Sequence, residues 1–268
     1  MTSAKDKALI SSEPGKYALV AQAALDASSA MAEALAPGET LSINDLPTVK
    51  VPTAGALNWQ LPNGDAAKTI DGVILLRQPV RSYWRESFDD TGGGVPPDCT
   101  SADLITGIGD NGEGGTVHSC QTCPWAQFGS ATNAKGEPAA GQACRQITRL
   151  FIATEDSMLP TLVLLSPTNF TVAKGYAVRQ PLISVETSIG LEPDKSGSGI
   201  TYSRATFRAV RKLEPEERAA MEAYKTAIGT SFIKMDNLVS PRLGFSWDMK
   251  GDGSTKLFGN LGRYYLPV

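Results

Sequence analysis

A chain of 268 residues can build one large core or two modest ones, and its 41% hydrophobic and 20% charged residues exclude wholesale disorder and fibrous structure. Lys and Arg total 25 against 28 Asp and Glu, a net charge of −3, so no global positive field advertises a nucleic-acid partner and any basic surface must be local. Apolar runs such as Leu162 to Leu165 fall far short of the roughly 18 residues of a membrane span, and the polar start lacks a secretory signal pattern, which makes the cytoplasm the expected compartment.

Residues 1–40 read as a polar tail and one helix: Tyr17 to Leu35 is dense in alanine and is stopped by Pro37-Gly38. From Leu41 the texture changes. Val49, Val51, Leu57, Trp59 and Leu61 sit at alternate positions punctuated by Pro52, Pro62, Asn63 and Gly64, which predicts short strands and turns. Ile70 to Leu76 is a buried strand that leads into Arg77, Arg81, Tyr83, Trp84 and Arg85, where basic and aromatic residues interleave. Residues 86–146 hold all four cysteines and much of the glycine but almost no apolar period, so they read as an insertion held by something other than a hydrophobic core. Strands follow at Leu150 to Thr154 and Thr161 to Ser166, then a helix that starts at Pro167. Leu182 to Leu191 and Ile200 to Val210 flank a turn-rich segment and predict a hairpin. Pro215, Glu216 and Glu217 open a helix whose Ala220, Met221, Tyr224 and Ile228 share one face. Residues 236–268 have no sustained period and read as an extended tail, a candidate for recruiting partner proteins. The class expected is α+β: a β-barrel or strongly curved antiparallel sheet over 41–235, the cysteine segment inserted in it, and helices at the margins.

Cys99, Cys120, Cys123 and Cys144 are separated by twenty, two and twenty residues. The central pair can place two thiolates on one tetrahedral ion, and each long loop can return one more, so a structural zinc ion is the reading this spacing favours. Metal binding would then supply the folding energy that the segment lacks. Redox cysteines and merely buried thiols remain open, since Pro124 after the pair suits the helix start of a redox motif. His118 is an alternative ligand. Four protein ligands close a site against catalysis, and with one histidine, no G-x-S-x-G and no G-x-x-x-x-G-K the chain is not expected to be an enzyme. Asp89, Asp90, Asp98, Asp103 and Asp110 are a weaker nuclease-like alternative.

Single-strand binders combine cations for phosphates with aromatics for bases. By alternation Tyr202, Arg204, Thr206 and Arg208 share one face of their strand, with Arg211 and Lys212 close behind, while Ser203, Ala205, Phe207 and Ala209 face inward. Further candidates are Arg81, Tyr83, Trp84 and Arg85, and around the cysteines Trp125, Phe128, Lys135, Arg145 and Arg149.

The segments Pro97-Asp-Cys99-Thr-Ser101-Ala-Asp103, Cys120-Gln-Thr-Cys123-Pro124-Trp125-Ala-Gln127-Phe128-Gly129-Ser130 and Gly141-Gln-Ala-Cys144-Arg145 resemble a motif of phage-encoded proteins, similar to zinc-containing single-stranded DNA-binding proteins with a core of the oligonucleotide-binding barrel type. The resemblance spans about residues 70–210. It implies zinc (Zn2+) on all four cysteines rather than on His118, and binding of single-stranded DNA, largely without sequence preference, during viral replication or recombination. Gln142 departs from the lysine common in that motif, and the carboxyl terminus lacks the acidic tail of bacterial single-strand binders. The rival expectations are a virion or interaction protein and, more remotely, a metal-dependent nuclease.

Overall fold

Alanine at close spacing favours helix, and α1 (Lys16–Ala34) buries Tyr17, Ala21 and Ala24 along one stripe. The structure is a computed structural model that describes residues 15–34, 43–53, 55–86, 97–112, 116–133, 136–195, 199, 201–228, 243–248 and 256–261. The chain divides into two units, Met1–Lys234 and Met235–Val268.

In the first unit the strands are β1 (Thr48–Lys50), β2 (Trp59–Gln60), β3 (Ala66–Ala67), β4 (Ile70–Tyr83), β5 (Cys99–Ser101), β6 (Thr106–Gly109), β7 (Val117–Ser119), β8 (Ala131–Thr132), β9 (Pro138–Ala139), β10 (Arg145–Ala153), β11 (Thr161–Leu165), β12 (Val185–Lys195) and β13 (Thr201–Lys212). Two further helices are α2 (Phe170–Arg179), entered through a 3-10 turn at Pro167–Asn169, and α3 (Pro215–Ala227). Among the described residues, nine strands form one sheet in the order β1-β11-β10-β4-β5-β6-β7, with β12 also on β4 and β13 on β12. The β1–β11 pair is parallel and the other pairs in this sheet are antiparallel.

The fold is therefore α+β, as expected, but the sheet is mixed and open rather than closed into a barrel. Its end strands β1 and β7 do not pair with each other. The segment expected as an insertion lies between the paired strands β4 and β10, and its β5, β6 and β7 continue the main sheet from the far end of β4.

Strand β4 organises the unit. Its first three residues pair with β12, Val73 to Ser82 pair with β10, and Arg81 to Tyr83 also pair with β5. Pro79 lies in the stretch between the β12 and β5 partners, where its missing N–H costs no ladder bond on that edge. Gly72 is required where β4 meets β10, because a Cβ there would run into the Ala153 carbonyl.

One apolar core gathers Val49, Trp59, Ile74, Leu150, Ile152, Val163, Leu165 and Ile189 against Ala173 and Tyr176 of α2. Trp59 is fully buried, and its Nε1 donates to the Ile189 carbonyl at 3.0 Å. Asn169 shields part of the open edge of β13: Ala205 N donates to its Oδ1 at 2.6 Å, and its Nδ2 donates to the Ser203 carbonyl at 3.4 Å. Helix α3 packs on α1 and turns Met221, Tyr224 and Ile228 inward.

In the second unit β14 (Leu243–Asp248) and β15 (Lys256–Leu261) pair as an antiparallel hairpin within what the sequence suggested was an extended tail. The tail's last residues, with Arg263, lie outside the described residues. Among the described residues no helix is long and apolar enough to cross a membrane.

Candidate functional site

The four cysteines come from different elements and face one cavity. Cys99 opens β5, Cys120 and Cys123 follow β7, and Cys144 immediately precedes β10. Cys99 is set by its ladder pairs with Tyr83 and Gly109, and the other three by backbone bonds: Cys120 N donates to the Ile105 carbonyl at 2.8 Å, Cys123 N to the Ser119 carbonyl at 3.1 Å and Cys144 N to the Trp125 carbonyl at 2.8 Å. All four are free thiols, and all four line a cavity of about 10 Å³, with Arg81, Asn111 and His118 also in its wall. That volume is about the room needed by a single small sphere such as one water. Gly107 allows the approach, since a Cβ there would stand 3.1 Å from Cys99 Sγ and 3.6 Å from Cys120 Sγ.

Among the described residues no three His, Cys, Asp or Glu side chains stand at finished metal-holding spacing. Burial, and then the charges of Cys120 and Cys123, push the Cys99 thiol up to about 11. Burial pushes Cys144 up to about 11 as well, although Arg81 pulls it down. A divalent ion bound by thiolates at about 2.3 Å would supply the missing attraction, and four soft sulfur donors are the set that suits zinc.

The motif residues around the cysteines knit the loop. Gln127 Nε2 donates to the Gln121 and Cys123 carbonyls at 3.1 and 3.2 Å. Ser130 Oγ lies 2.9 Å from the Trp125 carbonyl and 2.7 Å from the Gln127 carbonyl, its one proton shared between them, and receives Ala143 N at 3.0 Å. Gln142 Nε2 donates to the Ala126 carbonyl, so it serves the loop backbone. Pro124–Ala126 is a three-residue 3-10 turn, not the α-helix that a thioredoxin-like redox motif needs. His118 donates from Nε2 to the Gly109 carbonyl at 2.9 Å.

The carboxylates have local partners. Asp98 Oδ2 receives Arg85 N at 2.8 Å. Asp103 Oδ1 receives Ile105 N and Thr106 N, both at 2.8 Å; burial opposes its charge, but these bonds hold its carboxyl below the usual range. Asp110 is held low by Gly112 N and by an ion pair of 2.9 Å with Arg85. Asp89 and Asp90 lie outside the described residues.

Beside the thiols runs a groove of about 750 Å³ lined by Tyr83, Trp84, Arg85, Asp110, Asn111 and Trp125, among others. Tyr83 and Trp125 stack with ring centroids 5.3 Å apart and planes 18° from parallel. Trp125 Nε1 donates to the Asn111 carbonyl at 2.8 Å, and Asn111 Nδ2 lies 3.9 Å from Cys123 Sγ, so one buried asparagine joins the groove wall to the thiols. Trp84 is 40% exposed. Asn111, Gly107 and the Arg85–Asp110 pair were not foreseen as a group. Arg85 stood in the basic and aromatic run and Asp110 among the acidic candidates, and the Asp110-Asn111-Gly112 turn signature is the advance sign of Asn111.

The other candidates scatter. Phe128 is 82% exposed, and Lys135 lies outside the described residues. Arg145 is exposed, whereas Arg149 is half-buried. On β13, Tyr202 donates to Asp194 at 2.8 Å, and Arg204 pairs with Asp194 at 3.3 Å and Glu192 at 3.7 Å. Arg211 turns inward to Glu217 at 2.7 Å and Glu186 at 2.9 Å, which corrects its expected place on an open surface. Arg208 and Lys212 are exposed. The inward face holds for Ser203, Ala205 and Phe207 but fails at exposed Ala209, beside the bulge that shifts the β12–β13 register.

Compared with family models, with curated proteins and with solved structures, the chain has no match.

Proposed function

We propose that this protein binds single-stranded DNA, largely without sequence preference, in the groove lined by Tyr83, Trp84, Arg85 and Trp125, and that zinc on Cys99, Cys120, Cys123 and Cys144 braces the groove wall. The observation that carries the proposal is Trp84, 40% exposed, beside half-buried Trp125 in an open groove that Arg85 also lines, with buried Tyr83 stacked against Trp125 to hold its ring. Unpaired bases stack on such rings in a sequence-tolerant way, at about 1–3 kcal/mol per base. The resemblance to phage-encoded single-strand binders points the same way and suggests a role in viral replication or recombination. On this reading the core is a relative of oligonucleotide-binding barrels whose sheet is open rather than closed.

Cations are few here. Arg85 is already paired with Asp110, and Arg145 is the exposed arginine next to Cys144. Two phosphate contacts would give a salt slope of only about −1.4, so stacking carries the affinity.

A second reading has its own observation: Ile105, Val117 and Phe128 are 68%, 67% and 82% exposed on the cysteine lobe, which suits a protein-docking surface. Fluorescence anisotropy of a labelled single strand, set against duplex and RNA with magnesium present and product length checked, separates the readings. Micromolar or tighter binding to intact single strands that Trp84→Ala weakens by about 1–3 kcal/mol is the result expected. A flat titration at low salt overturns the proposal, and shortened product would point to a nuclease.

A further inference from the structure

Arg81 belongs by sequence to the basic and aromatic run at the end of β4, yet its guanidinium is committed to the thiol cavity. Its Nη1 donates to the Cys144 carbonyl at 3.4 Å, and its Nε is buried without a hydrogen-bond partner. A buried N–H on a full positive charge is costly when it lacks an acceptor, and the cost is offset where a counter-charge arrives with a ligand.

A divalent ion on four thiolates is such a ligand. The assembly carries two net negative charges inside a cavity walled by Tyr83, Ala126 and the sulfurs themselves, so it needs donors and a cation close by. Asn111 contributes one weak contact, 3.9 Å from Cys123 Sγ. Arg81 is the charged group in the cavity wall with an unused N–H.

We propose that Arg81 is the outer-shell partner of the zinc–tetrathiolate group: it donates to the thiolate cluster, offsets part of its excess charge, and so sets metal affinity. The role rests on the zinc reading above. It makes Arg81 a positioning residue for the metal rather than a DNA contact.

The test uses the full chain as wild type, Arg81→Gln and Arg81→Lys. Zinc affinity is measured by competition with a chromophoric chelator, and cobalt(II) uptake by absorption. Wild type should take one metal, Arg81→Gln should bind it about 10–100-fold more weakly, and Arg81→Lys should recover most of the loss because it keeps the charge. The sulfur-to-cobalt charge-transfer band should move to longer wavelength in Arg81→Gln, since a thiolate without its donor is easier to oxidise; packing alone would not move it. Equal affinities and an unmoved band in all three proteins overturn the role of Arg81 while leaving zinc intact. Equal weakening in Gln and Lys overturns the charge argument. A wild type that takes up no metal overturns the zinc reading itself.

Discussion

Two buried clusters among the described residues share one sheet and are closed by different means. Around Trp59, Ile74, Leu150 and Val163 the closure is mainly apolar: the strands present branched side chains, α2 covers them, and the few buried polar groups, such as Trp59 Nε1 and Asn169, find partners within the fold. Around Cys99 and Cys144 the buried set shrinks to those thiols, Tyr83 and Ala126, with Cys123, Trp125 and Ala143 packed beside them. The strands there are three or four residues long, and the loops are held by backbone and side-chain hydrogen bonds. Strand β4 runs through both clusters, from Ile70 in the first to Tyr83 in the second. The first cluster closes on apolar packing, while under the proposed zinc reading the second would take its stability from the ion its sulfurs hold.

The largest expected effect tests that difference directly. Removing metal with a strong chelator, or changing Cys120→Ser together with Cys123→Ser, should release residues 97–146 to fast hydrogen exchange, shift the tryptophan emission through Trp125, and lower single-strand affinity by more than about tenfold. Amides of β10 and β11 should stay protected. Uniform loss of protection across both clusters would show that they are not separable.

Next in size, Trp59→Ala should cost about 3–5 kcal/mol, because it empties a fully buried site and abandons the bond to the Ile189 carbonyl. The measurement is denaturant unfolding. A loss confined to the cysteine lobe would reverse the assignment of which cluster carries global stability.

How far these clusters were legible in the sequence differs for the same physical reason. The buried apolar elements wrote themselves as runs and period: Ile70 to Leu76 and Thr161 to Ser166 were foreseen because strands buried on both faces read as near-continuous apolar runs, and the Met221, Tyr224, Ile228 face because burial on one side of a helix leaves a 3.6-residue repeat. The cysteine spacing likewise foresaw a common centre. Pairing of β5, β6 and β7 with the main sheet was not legible, since strands of three or four residues carry too little pattern. The groove was only half legible: Trp84 and Trp125 stood out as aromatics, but Asn111 and the Arg85–Asp110 pair meet them only through folding. Glu217 was read as a helix-start acid, and it is one, but it is also buried and receives Tyr17 N at 3.1 Å and Arg211. Which partner a cation finds is a tertiary fact.

That carboxylate supplies the third prediction. Arg211 holds Glu217 at about 2, against an ordinary value of 4.5, even though burial opposes the charge. Because the folded value is the lower one, the stabilisation is complete above pH 4.5 and drains away as pH falls toward 2; it amounts to about 3 kcal/mol if the whole shift is realised. Glu217→Gln should therefore cost about 2–3 kcal/mol at neutral pH and flatten the acid limb of stability between those values. A variant with an unchanged acid limb would remove this cluster from the apolar region's stability.

The smallest effect expected belongs to the strand that looked most like a DNA-binding face. Arg204 is half-exposed and already shared between Glu192 and Asp194, and exposed pairs of this kind are worth about 0–1 kcal/mol. Tyr202 spends its hydroxyl on the same Asp194, whose carboxyl is held below the usual range by that bond. An incoming phosphate would have to compete with two carboxylates for Arg204, leaving exposed Arg208 as the cation of that row without them. Arg204→Ala and Arg208→Ala together should change single-strand affinity by less than about threefold, near the effect of a single exposed phosphate contact, and leave the melting temperature within about 2 °C. Anisotropy under the conditions used for Trp84→Ala gives the comparison: a larger loss from the arginine pair than from the tryptophan would move the binding surface from the cysteine lobe to β13.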